Sequence, residues 1–184
     1  GTAVDTVDNG QSIDSLTFTV SNVAGDGSAE LIGLDGQEIA LTDTNSGTTT
    51  ANGFGYSVSL ASGTATVTVT KADTAANYAT LVNGLAYRNS ADNMDSTTRT
   101  VTLTQVTDNG ASNNSTGLAI ASAVTMSPVN DAPVVTGPGA ALSATEGTPM
   151  AVHGTGFDVS DVDAGGGTLI ATLSVAEGPL DVTV

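Results

Sequence analysis

Short runs in which apolar and polar residues alternate fill the first two-thirds of the chain. In "IDSLTFTV", Leu16, Phe18 and Val20 alternate with Thr17 and Thr19, the pattern of a strand with one buried face. "AELIGLDGQEIALT" carries two apolar arms around Asp35-Gly36, a dipeptide suited to a tight hairpin turn. "GFGYSVSL" and "TATVTVT" predict a second hairpin, joined through Ala61-Ser62-Gly63. The period changes at "DTAANYATLVNGL". Its alanines, a capping Asp73 or Thr74, Tyr78, Leu81 and Val82 near helical spacing, and a closing Gly84 predict a short helix. Strand patterns resume in "LAYRN", "TRTVTLTQV" and "TGLAIASAVTM", with a polar loop at 108–115 between the last two.

About eight short strands in roughly 130 residues, separated by turn signals, predict an all-β chain folded as an antiparallel β-sandwich of immunoglobulin-like type. One buried face per strand implies two sheets packed face to face. After Pro133 the pattern starts again. "ALSATEGTPMAV", "GTGFDVSDVDAGGG", "TLIATLSVAEG" and "PLDVTV" suggest about four more strands, too few to close a sandwich around their own core. The expected division is therefore a sandwich over 1–129, a linker "NDAP" at 130–133, and an incomplete second β module over 134–184. That last segment is read as the first half of a further module or as a strand donor.

Composition narrows the function. Aromatics make up 3% of the chain, so the core must be aliphatic. Three Lys plus Arg stand against 19 Asp plus Glu, a formal charge of -16. Such a field repels nucleic acid and anionic membranes and attracts cations. There is no cysteine, which excludes disulfides and thiolate metal sites. No stretch approaches the roughly 18 apolar residues of a membrane span, and no signal peptide opens the chain. The start, "GTAVDTVDNG", reads as the interior of a longer protein.

"LVNGLAYRNSADN", "TRTVTLTQVTDNG" and "AIASAVTMSPVNDAPVV" together resemble a repeat of the tandem cadherin-like and immunoglobulin-like modules of large bacterial RTX-type adhesins and related surface proteins. "ATEGTPMAVHGTGFDVSDVDAGGGTLIATLSVAEG" is similar to the opening half of the next module. The resemblance spans nearly the whole chain, and its most specific parts are the "NDAP" joint and "SDVDAGGGTL". It implies a string of sandwiches with Ca²⁺ bound at or near the joints. Matching the cadherin pattern residue by residue, it implies ligands at Glu146 in "TEG", at Asp161 and Asp163 in "DVD", and at Asn130 and Asp131 in the linker. The longer linker of that pattern, D-x-N-D-N-A-P, is shortened here: Val129 precedes Asn130 and no second Asn follows Asp131. That departure points to one ion instead of three.

The same residues suit calcium on chemical grounds. Ca²⁺ takes about six to eight oxygen ligands, several of them carboxylates. Asp161 and Asp163 would share a side of an extended segment, and Gly165, Gly166 and Gly167 permit a tight return. Pro133 stiffens the exit from the linker. An EF-hand beginning at Asp161 is ruled out because its twelfth position is Thr172, where a Glu is needed. A possible second acidic cluster, Asp92, Asp95 and Asp108, is read mainly as turn chemistry.

Enzyme signals are weak: nineteen acids offer many carboxylate pairs, but the chain has no Trp to supply the aromatic platform usual in carbohydrate sites. His153 is the single histidine, in "AVHGTG", and is read as a strand-end residue. No G-x-S-x-G elbow occurs, and no dinucleotide motif is complete. Lys71, the single lysine, is the one candidate for an intramolecular isopeptide.

The expected function is a structural repeat: a Ca²⁺-stiffened spacer in an extracellular bacterial adhesin or surface protein. Its partners would be neighbouring repeats of the same polypeptide or copies of the same chain, with no nucleic acid and no membrane insertion. The alternatives are a subunit of an extracellular filament or surface layer joined by inter-chain strand complementation, and a glycan- or ligand-binding module.

Overall fold

Alternation in "IDSLTFTVS" makes β1 (Ile13–Ser21) the centre of the first sheet, because its inward residues Leu16, Phe18 and Val20 can be covered on one side only. A computed structural model describes residues 3–4, 10–23, 27–152, 154–172 and 174. The chain divides into two units, Gly1–Pro128 and Val129–Val184.

In the first unit, β1 is followed by a 3₁₀ turn (Gly27–Ala29), β2 (Glu30–Leu34), β3 (Gln37–Ala40), β4 (Ser46–Thr48), β5 (Gly55–Ala61) and β6 (Thr64–Asp73). Helix α1 (Ala75–Asn83), β7 (Ala86–Asn89), β8 (Arg99–Asp108) and β9 (Ser115–Val124) complete it. The strands form a six-stranded sheet, β4-β5-β6-β1-β8-β9, and a three-stranded sheet, β3-β2-β7. All pairings are antiparallel. Phe18, Val20, Val67, Val69 and Leu103 from the first sheet join Ile32, Leu34 and Ile39 from the second in one buried cluster. This is the expected all-β sandwich. Burying each such side chain contributes about 1.5–3 kcal/mol.

The turns follow their sequences. Asp35 and Gly36 take φ of 52° and 76° between paired Leu34 and Gln37, the doubly positive turn that matches strand twist. Ser62 and Gly63 do the same at 49° and 73°, so the second turn is two residues long, between Ala61 and Thr64. Thr74 caps α1, its side chain accepting from the Asn77 N–H at 3.2 Å. Gly84 closes the helix by donating to the Thr80 and Leu81 carbonyls. Tyr78 is buried, stands edge-on to Phe54 at 5.4 Å, and donates its hydroxyl to the Lys71 carbonyl. Strand β4 was not expected, since all three of its residues are exposed and no apolar period marks it.

One polar interaction crosses the core. Glu30 of β2 and Arg99 of β8 are both 0% exposed. Arg99 donates Nε and Nη2 to Glu30 Oε1, the former at 2.8 Å, and Tyr87 of β7 donates its hydroxyl to the same oxygen at 2.8 Å. Arg99 Nη1 also donates to the Thr97 carbonyl. The ion pair therefore ties the small sheet to the large one.

In the second unit, the described residues contain two strands, β10 (Val134–Thr136) and β11 (Asp158–Ser160), paired antiparallel. The strands expected in "ALSATEGTPMAV" and at the start of "TLIATLSVAEG" are not formed among the described residues. Extended segments hold strand geometry only against a partner, and here Val134, Val135, Phe157 and Ile170 stay exposed. His153 and the "PLDVTV" strand lie outside the described residues.

The buried pair gives a direct test. Glu30→Leu or Arg99→Met alone should each lose about 3–5 kcal/mol in urea unfolding, because each leaves a polar partner stranded. The double variant Glu30→Leu/Arg99→Met should recover most of that loss. Fully additive losses would contradict the pairing.

Candidate functional site

The ladder that pairs β10 with β11 also builds the proposed cation site. Val134 lies opposite Ser160. Continued three residues outward, the same register sets Asp131 against Asp163. The Asp131 N–H donates to Asp163 Oδ2 at 2.9 Å. The Asp163 N–H in turn donates to Asp161 Oδ1 at 3.2 Å, and the Asn130 side chain donates to the Asp131 carbonyl. The Asp131 N–H, helped by Asp161, holds the Asp163 carboxyl below its usual range. A tight turn follows, with Gly165 at φ 65° and the Gly166 and Gly167 N–H groups on the Ala164 carbonyl at 2.8 and 2.7 Å.

The structure thus brings Asn130, Asp131, Asp161 and Asp163 into one hydrogen-bonded chain. The D-x-D segment is bent where an extended one was expected, because the Asp161 carboxylate folds over the next-but-one N–H. Glu146 sits in an exposed turn closed by the Thr148 N–H on the Thr145 carbonyl. No hydrogen bond among the described residues joins it to the other four. Among those residues, no three carboxylate or imidazole groups converge closely enough to form a metal cage. The donor set nonetheless suits a hard cation in kind. Asp161 and Asp163 each use one oxygen internally and keep the second, and Asn130 keeps its side-chain carbonyl.

Asp92, Asp95 and Asp108 are not gathered. Asp95 accepts from the Thr97 N–H and hydroxyl at 2.8 Å each. Asp108 accepts from the Gly110 N–H at 2.8 Å. Asp92 lies in an exposed turn. For Asp95 and Asp108 these are turn-stabilising bonds.

A different polar cluster, not anticipated from sequence, lines a shallow cleft of about 350 Å³ in the first unit, between the Asp35-Gly36 turn, the 52–54 loop and α1. Asp35 accepts from the Thr49 hydroxyl at 2.6 Å and the Asn52 N–H at 2.8 Å. Burial pushes its carboxyl up, but these bonds outweigh it and leave it below 3.8. Lys71 reaches Asp73 at 2.7 Å and the Asn52 carbonyl at 2.7 Å, with its ammonium 4.8 Å from the Phe54 ring centre. The acids here are held by the protein's own donors, so the cluster ties loop to helix. The signal available in the sequence was the scarcity of cations: Lys71, Arg88 and Arg99 are the only three, and each has a carboxylate partner.

No family model, no curated protein and no solved structure matches this chain.

Asp73 yields a pH prediction. Lys71 first, then Asn77 and the Thr74 N–H, hold its carboxyl at about 2 against an ordinary 3.8. A depressed carboxylate stabilises the fold fully above the unfolded value, and that contribution is lost as pH falls through the folded one. Asp73→Asn should lower stability at neutral pH and flatten the loss between pH 3.8 and about 2. Identical pH slopes in urea unfolding would contradict this.

Proposed function

We propose that the chain is a structural repeat of an extracellular bacterial adhesin or surface protein, in which calcium stiffens the segment that follows the sandwich. The observation that carries this reading is the hydrogen-bonded run from Asp131 to Asp163 to Asp161. It sets the linker residues and the D-x-D segment side by side at the start of the second unit, Val129–Val184. The immunoglobulin-like and cadherin-like character belongs to the same proposal and is supported by the antiparallel sandwich and the "NDAP" sequence. Among the described residues no helix is long and apolar enough to cross a membrane.

Asp161, Asp163 and the Asn130 side-chain carbonyl would supply the first oxygens for the ion. Asp131, Glu146, backbone carbonyls and water would complete the set of about six to eight. The ion would neutralise carboxylates that otherwise repel in a chain of formal charge -16. Restricting the linker is a mechanical function: it limits how a repeat tilts against the next and keeps a distal binding domain extended.

Thermal unfolding of the full chain tests this. Calcium at about 100 times its Kd should add about 2.7 kcal/mol, raising the midpoint by roughly 5–10 °C over a chelator-treated sample. The double variant Asp161→Asn/Asp163→Asn should lose that rise. A midpoint indifferent to calcium, or a rise that survives in the variant, would contradict the proposal.

A further inference from the structure

Among the described residues, strand β9 ends the six-stranded sheet and pairs with β8 alone, so no described strand lies beside the outer row of its backbone groups. An open edge of this kind is a template for another strand, and proteins commonly blunt it with charge, proline or brevity. The other open edges of the first unit carry such devices. β4 is three residues long, and β3 and β7, four residues each, bear Glu38 and Arg88. β9 runs for ten residues, "STGLAIASAV", without a charge or a proline. In a chain of formal charge -16, this is a stretch along which two copies can meet without opposing carboxylates.

The ladder narrows the contact. β9 carries a bulge where the β8 register shifts between Leu103 and Gln105. From Ile120 to Val124 the pairing with Leu103 to Arg99 is regular, so this half of the edge is straight enough to accept a neighbour. Ile120 lies opposite buried Leu103 yet is 53% exposed. An exposed apolar side chain and an edge with no described strand beside it thus fall on the same few residues.

We infer that Ile120–Val124 of β9 is a self-association edge, occupied by the same strand of a second copy in antiparallel pairing. Such pairing is two-fold and closes after two chains, joining the two large sheets into one. It needs no metal, so it stands or falls separately from the calcium site.

The absence of cysteine allows a clean test. Single cysteines are placed at each position from 119 to 123 of the full chain, with Ser59→Cys on the exposed face of β5 as control. Mild oxidation of the folded protein should give disulfide-linked dimers that peak at one or two adjacent β9 positions, at least tenfold over the control. Sedimentation should show the cysteine-free chain as a monomer–dimer system, and Ala121→Lys/Ala123→Lys should shift it to monomer with its urea midpoint little changed. A chain that stays monomeric at millimolar concentration overturns the inference. So do dimers that survive the lysine variant, cross-linking no better than the control, or assembly beyond two chains.

Discussion

The buried Glu30–Arg99 pair is the constraint on which the sandwich depends. Few aromatics are available, so the two sheets meet through short aliphatic side chains that would tolerate sliding past one another. A charge pair that is 0% exposed on both sides does not tolerate it. Its electrostatic gain is small once desolvation is counted, but breaking it strands a charge in the core, so every misregistered packing is penalised. Tyr87, with its phenol pushed up to about 12 first by burial and then by Glu30, is locked into the same contact. The pair therefore fixes β2 and β7 against β8, and the aliphatic core fills in around that alignment.

Much of this architecture was legible in the sequence because it rests on local rules. Period-two alternation located β1, β5, β6 and β8, Asp35-Gly36 marked the β2–β3 turn, and Ala61-Ser62-Gly63 marked the β5–β6 turn to within one residue. Asp73 or Thr74 at one end and Gly84 at the other bounded the helix, and Thr74 is the residue that caps it. Side-chain partnerships distant in sequence were not legible. Glu30 and Arg99 lie 69 residues apart, and only the inward parity of Glu30 with Ile32 and Leu34 hinted at burial. Asp35 was read as a turn residue, yet it also anchors a loop 14 to 17 residues away.

The candidate cation site divides along the same line. Linker and D-x-D residues could be named from sequence, and the β10–β11 register explains why Asp131 reaches Asp163. The bend at the D-x-D was missed because alternation assumes extended backbone, while an aspartate can fold its carboxylate onto a nearby N–H. Glu146, matched by resemblance, shares no hydrogen bond with the other four among the described residues. The site in hand is thus a partial oxygen set on a segment with few buried contacts, the kind of element whose order an added ion could change.

Whether a cation orders this segment is answered most directly by an amide NMR titration of the full chain with calcium. Saturable shifts confined to residues 130–131, 146 and 161–167, with the sandwich resonances unmoved, are the expected result. No shifts at millimolar calcium, or shifts centred on the acids of the first unit, would contradict the calcium-stiffened joint.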